Sequence, residues 1–190
     1  MIKAVFLDRD GSINSDKKGY ISNPNDFTLF SFSAPAIKIL NDNNYLVFLV
    51  TNQSGVGRGY FTTKEVEVIH KKLKSDLAIY GAKIDKIYYS TFHKTGFSSD
   101  IYNNPLDRKP LPGMFERAKR DFDFDIKSSF MIGDKSSDIK FGKNCGLKTI
   151  LLLTGEGEKS FYEKKEKPDF VCKNVLVAAK LIKDFNNLVK

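Results

Sequence analysis

Short runs of mostly apolar residues recur along this chain, at 2–7 (IKAVFL), 45–50 (YLVFLV), 84–89, 129–132 and 147–153. A strand with one wet face alternates apolar and polar residues; a strand covered on both faces does not. Helix-like spacing fills the gaps between the runs. Ser33-Ala34-Pro35 reads as a helix start with proline in the first turn, followed by Ala36, Ile37 and Leu40. Thr62 or Thr63 opens a second helix over about 64–80, with Val66, Ile69, Leu73 and Leu77 on one face and Gly81 at its end. Pro112 to Phe122, Ser136 to about Gly146 and 174–188 read as further helices, with Ser136 as a cap. Phe170 to Cys172 is a candidate sixth strand. Strands alternating with helices predict an α/β fold with a mainly parallel sheet covered on both faces.

At 190 residues the chain predicts one domain, 1–190. The apolar runs fall far short of the roughly 18 residues of a membrane span, and residues 1–4 lead straight into a strand, so neither a span nor a secretory leader is expected. Two cysteines, Cys145 and Cys172, cannot build a disulfide framework, which points to core thiols and a cytoplasmic setting. The formal charge of +8 suits an anionic substrate or nucleic acid without choosing between them.

Two stretches, 11–32 and 91–111, lack periodicity; long irregular loops in a compact domain are usually functional. Ligands of an open parallel sheet sit beyond the carboxyl ends of its strands. There the chain places Asp8-Arg9-Asp10-Gly11-Ser12, Thr51-Asn52-Gln53-Ser54, Arg108-Lys109-Pro110 and Gly133-Asp134-Lys135-Ser136-Ser137-Asp138. Carboxylates crowded on one edge repel each other and call for a cation; oxygen ligands suit Mg²⁺. A carboxylate nucleophile splits phosphate-ester hydrolysis into two easier steps. A second carboxyl can protonate the leaving oxygen and then deprotonate water. A turn at Gly11 lets Asp8 face the substrate with Asp10 beside it.

The set Asp8-x-Asp10-Gly11-Ser12, Thr51, Lys109 and Gly133-Asp134-x-x-x-Asp138 resembles the four motifs of haloacid dehalogenase-type phosphatases, in their order and over nearly the whole chain. The resemblance implies a Rossmann-like three-layer α/β/α sandwich without a separate cap domain. It implies Asp8 as nucleophile, Asp10 as general acid/base, and Thr51 and Lys109 as holders of the transferring phosphoryl group. Mg²⁺ would be bound by Asp8, the Asp10 backbone carbonyl and Asp134, with Asp138 supporting it from behind.

Further segments are similar to the heptose-bisphosphate and histidinol-phosphate phosphatase branch: Gly19-Tyr20, Thr51-Asn52-Gln53-Ser54-Gly55, Arg58-Gly59-Tyr60-Phe61 and Arg108-Lys109-Pro110. The resemblance gives Gly19, Tyr20, Asn52, Gln53, Ser54, Arg58, Arg108 and Lys135 to the substrate. Gly55-x-Gly57-x-Gly59 is not spaced as a dinucleotide fingerprint and reads as a flexible loop presenting Arg58. The branch often carries a zinc loop; here its ligand places hold Ser90, Phe92, Pro105 and Asp107, with His93 alone beside them. No structural zinc is therefore expected, and packing of Phe92, Phe97 and Tyr102 is the expected substitute.

The implied activity is a Mg²⁺-dependent sugar-phosphate phosphatase, with D-glycero-D-manno-heptose 1,7-bisphosphate, dephosphorylated at position 7, the leading substrate. A histidinol-phosphate phosphatase, a polynucleotide 3′-phosphatase and an idle phosphate-sensing module are the alternatives. The expected state is a monomer. A nucleic-acid partner is not expected, for want of an aromatic and basic stacking run.

Overall fold

The first strand, β1 (Lys3–Leu7), sends successive side chains to opposite faces. Val5 and Leu7 join one buried cluster, Ala4 and Phe6 another. The computed structural model describes residues 2–16, 19–96 and 104–188. Besides β1 its sheet contains β2 (Tyr45–Asn52), β3 (Lys86–Ser90), β4 (Phe130–Gly133), β5 (Lys148–Leu152) and β6 (Phe170–Cys172). All pairings are parallel, in the order β3-β2-β1-β4-β5-β6. The order reverses at β1, which pairs with both β2 and β4. A crevice opens at such a switch point.

On one face lie α1 (Ser33–Asp42), α3 (Thr63–Ala78) and α7 (Val175–Leu188), whose Ile37, Leu73 and Ile182 pack with Val5 and Leu49. On the other lie α4 (Gly113–Asp121) and α5 (Ser136–Asn144), which bury Met114, Phe115 and Phe141 against Phe6 and Phe48. Phe6 sits at the centre of that face, its ring 5.2 Å from Phe48 and 5.6 Å from Phe115. This is the three-layer sandwich that the alternation of segments predicts. Cys145 and Cys172 are buried thiols within it. No helix among the described residues is long and apolar enough to cross a membrane.

Several local expectations need correction. The third strand begins at Lys86 rather than Ile84 because Asp85 closes the turn: its carboxylate accepts from Val47 N at 2.8 Å, and the ladder starts one residue later. The α3 cap is Thr62, in a reciprocal capping box with Glu65. The cap of α5 is Lys135, not Ser136; the Lys135 N–H donates to Asp138 at 2.9 Å. The Gly55-x-Gly57 segment is no flexible loop. It is a buried helical turn, α2 (Ser54–Gly57). A Cβ on Gly55 would stand 2.1 Å from the Phe61 ring, so only glycine fits there. A short α6 (Gly157–Glu163) also follows β5. Phe97 and Tyr102 lie outside the described residues.

Candidate active site

Asp8 follows β1 directly and is 4 % exposed. Its Oδ1 lies 2.6 Å from Lys109 Nζ. The same Nζ lies 2.7 Å from Asp138 Oδ1 and donates to Val50 O at 2.8 Å. Burial alone would push the Lys109 ammonium down, but the Asp138 and Asp8 charges outweigh it and raise it. Lys109 is thus a fully charged, buried cation spanning three strand ends.

Carboxylate oxygens of Asp8, Asp134 and Asp138 lie within 4.8 Å of one another, the one group among the described residues arranged to hold a metal. Burial and then the charges of Asp8 and Asp138 push the Asp134 carboxyl well above its ordinary value. Burial also raises Asp138, against the opposing pull of Lys109. These are carboxylates short of positive charge, the signature of a cation site. Asp134 accepts from Ser12 Oγ at 3.1 Å and from Glu156 N at 2.8 Å. Gly11, at φ +87°, makes room for it: a Cβ there would stand 2.4 Å from Asp134 Oδ2.

Asp10 faces the other way. Arg9 grips it with two bonds, Nε to Oδ1 at 2.9 Å and Nη2 to Oδ2 at 2.8 Å. Asn14 Nδ2 and Gln53 Nε2 add donors at 3.0 and 2.9 Å. Burial would raise this carboxyl, but the Arg9 charge and these bonds hold it below its ordinary value. Arg9 itself is wholly buried, and its third nitrogen rests 3.3 Å from His70 Nε2. Arginine only donates, so that nitrogen of His70 is the acceptor. Burial, then the Arg9 charge, pull His70 down to about 3, which keeps it neutral. Neither Arg9 nor His70 is given a role by the sequence motifs; a charged residue at the tip of an apolar strand is the available signal for the first.

Two adjoining spaces open here. A recess of about 40 Å³ is lined by Asp8, Asp10, Thr51, Asn52, Lys109, Lys135, Ser137 and Asp138. A cleft of about 350 Å³ shares Asp10, Asn52, Lys135 and Ser137 with it and adds Gly19, Tyr20, Gln53, Ser54 and Arg108. The expected site residues therefore line these two spaces, except Arg58 and Asp134, the latter reaching the Asp8 and Asp138 carboxylates beside the recess. Arg58 is exposed and outside the cleft lining, though its charge, after burial, helps lower Arg108. Asp16, Ile21 and Glu156 line the cleft without having been expected. Glu156 stands 3.5 Å from Lys135 Nζ. Burial would lower Lys135, but Asp8, Asp134, Asp138 and Glu156 together raise it.

Known proteins are similar to this chain in sequence and fold. The HAD-hydrolase-like family matches residues 106–178. A D-glycero-D-manno-heptose-1,7-bisphosphate 7-phosphatase of Chlorobaculum tepidum is 38% identical over 183 residues, covering 93% of this chain and 92% of that protein. The chain belongs to the heptose-bisphosphate phosphatases. A Haemophilus ducreyi relative, named for the β anomer, is 40% identical over 83% of this chain and 89% of its own. The solved D,D-heptose 1,7-bisphosphate phosphatase of B. bronchiseptica, complexed with magnesium and phosphate, superposes with a TM-score of 0.86 at 30% identity, covering 97% of this chain and 99% of that one. Membership of the heptose-bisphosphate phosphatases makes this chain a phosphatase of the haloacid dehalogenase-like type, as the four strand-end motifs imply.

Proposed function

We propose that the chain hydrolyses D-glycero-D-manno-heptose 1,7-bisphosphate at position 7, through an acyl phosphate on Asp8. One observation carries the reading: Lys109 Nζ, 2.6 Å from Asp8 Oδ1, at a recess that opens into a polar cleft. Asp8 attacks phosphorus and the bond from phosphorus to the sugar oxygen breaks. That oxygen takes a proton from the protonated form of Asp10, which is populated against the Arg9 clamp and restored by the proton of water in the second step. Asp10, now a carboxylate, takes a proton from water; the hydroxide displaces Asp8 and releases phosphate. Thr51 and Lys109 hold the transferring oxygens, and the cleft residues Tyr20, Asn52, Gln53, Ser54, Arg108 and Lys135 read the sugar. The Arg9 clamp favours the carboxylate of Asp10, which is the form the second step needs.

The carboxylates of Asp8, Asp134 and Asp138 outnumber Lys109 and Lys135, and Arg9 is taken up by Asp10, so the site carries excess negative charge before any phosphate arrives. Asp8, Asp134 and the Asp10 carbonyl would hold Mg²⁺, with Asp138 behind them; the carboxylate oxygens of Asp8, Asp134 and Asp138, all within 4.8 Å of one another, support that fit. When bound, Mg²⁺ orients the phosphoryl oxygens and shields Asp8 from their charge. The reading takes the protein as a cytoplasmic monomer.

Two measurements test this. Phosphate release with Mg²⁺ is expected from heptose 1,7-bisphosphate, well above histidinol phosphate, fructose 1,6-bisphosphate and a 3′-phosphorylated DNA end. Turnover of the DNA end alone would overturn the substrate. Thermal melts read the metal. A carboxyl raised in the folded state stabilises at low pH, and that contribution is lost as pH rises through the raised value. Mg²⁺ replaces it: at about 100 times its Kd it adds roughly 2.7 kcal/mol, or about 5–10 °C for a chain of this size. The shift is expected at pH 7.5, to shrink by pH 5, and to vanish in Asp134→Asn. An equal shift in that variant would remove Asp134 from the metal.

A further inference from the structure

The resemblance to the heptose-bisphosphate branch implies a zinc loop, and the residues in its place do not fit one. The Ser90 hydroxyl is occupied in a turn, accepting from Phe92 N at 3.2 Å. The side chains of Phe92 and Pro105 have no ligand atom. Asp107 has a carboxylate, but its Oδ2 already meets Arg117 Nη1 at 3.1 Å. His93, half-buried, accepts from Thr95 N at 3.2 Å. A structural zinc site takes four N or S ligands; these places offer one neutralised carboxylate. We infer that the Asp107–Arg117 ion pair does the holding instead, and that these two are positioning residues for Arg108 and Lys109.

The geometry supports a direct mechanical link. Asp107 closes the 3-10 turn Pro105–Asp107, and the next two residues are Arg108 and Lys109. Its carboxylate is 4 % exposed, although it touches neither the cleft nor the recess. A buried charge remote from the chemistry is costly unless it is paired. Its partner belongs to the rigid part of the fold. Arg117 rises from α4 with its guanidinium 5.5 Å from the centre of the Tyr88 ring, and Tyr88 on β3 donates to Asp121 of α4 at 2.8 Å. The pair therefore ties the loop to β3 and α4 from one side. Asn52 of β2 ties it from the other, accepting from Lys109 N at 3.0 Å and donating to Lys109 O at 3.2 Å. Arg108 Nη1 also donates to Phe92 O, at 3.2 Å. Three anchors, all protein, fix the residues that carry charge into the site.

The inference rests on Lys109 holding the transferring phosphoryl group, so one readout must be independent of activity. The amides of Arg108, Lys109 and Leu111 are all hydrogen-bonded, to Pro105 O, Asn52 Oδ1 and Arg108 O. In Asp107→Asn their hydrogen exchange is expected to quicken at least tenfold, while β1 and β4 amides stay as they are. In the assay, kcat falls through Lys109 and KM rises through Arg108, about tenfold or more in kcat/KM, since small misplacements cost that much. Arg117→Gln behaves alike, the double variant is no worse than the poorer single, and Arg117→Lys recovers part of the loss. Unchanged exchange at the three amides in Asp107→Asn would overturn the inference, as would stoichiometric zinc in the purified protein. If the unmutated protein released no phosphate, the proposed function would fail, and the exchange rates would still decide the loop.

Discussion

Asp8→Asn is expected to cut phosphate release by roughly 10⁴–10⁶-fold, the loss seen when a covalent mechanism is deprived of its nucleophile. The substitution keeps the shape of the side chain. The amide nitrogen is no nucleophile, and the amide oxygen lacks the charge to attack phosphorus. The fold has no reason to suffer. Asp8 is one of three carboxylates whose oxygens lie within 4.8 Å of one another, and Lys109 keeps Asp138 as a partner at 2.7 Å. Removing one of three crowded negative charges relieves repulsion, so without Mg²⁺ the variant is expected to melt no lower than the parent. Rapid quenching should trap a phosphorylated chain in the parent and none in the variant. Residual turnover within tenfold of the parent would show that Asp8 is not the attacking group. A binding module that merely senses phosphate would show no turnover in either protein.

The sequence made the strand ends legible because both of their signals are local. An apolar run marks each strand, and a polar cluster after it marks the edge where the sheet meets its ligand. Val5 and Leu7, alternating with Ala4 and Phe6, serve both faces without the sequence having to say which helix covers which. What stayed hidden depends on partners distant in sequence. Nothing about Glu156 announces that its backbone donates to Asp134, because α6 is a short turn without periodicity. Gly55 reads as flexibility until the Phe61 ring is seen against it. Asp107 reads as a missing ligand until Arg117, ten residues on, is seen to meet it. Arg9 lies between two catalytic candidates, yet only its burial and its two hydrogen bonds to Asp10 make it part of the site.

Lys109→Met should be the most damaging single change to the site as a whole, because it acts on charge balance and on chemistry together. Methionine keeps the reach of the side chain and removes its charge. The Lys109 side chain is 2 % exposed and sits between Asp8 and Asp138. Taking one partner from a buried ion pair leaves charge uncompensated and costs about 3–5 kcal/mol, which for a chain of this length lowers Tm on the order of 10 °C. The cost must depend on pH, and its sign is fixed. Asp134 and Asp138 are already raised in the folded state, and loss of Lys109 raises them further. A carboxyl raised on folding adds stability below its unfolded value and loses it as pH rises through the folded one. The gap in Tm between variant and parent is therefore widest near pH 7.5 and closes toward pH 5, where the carboxyls take up protons. Mg²⁺ closes part of it at neutral pH by supplying positive charge. Activity does not return with stability. The transferring phosphoryl group has lost a preorganised cation, worth about 10²–10³-fold by analogy with a single removed oxyanion donor, and that deficit should persist at a pH and Mg²⁺ concentration where the variant is fully folded. A variant whose Tm gap were flat with pH would show that the neighbouring carboxyls do not feel Lys109. One that regained full turnover once folded would leave Lys109 a structural cation and pass the task of holding the phosphoryl group to Lys135.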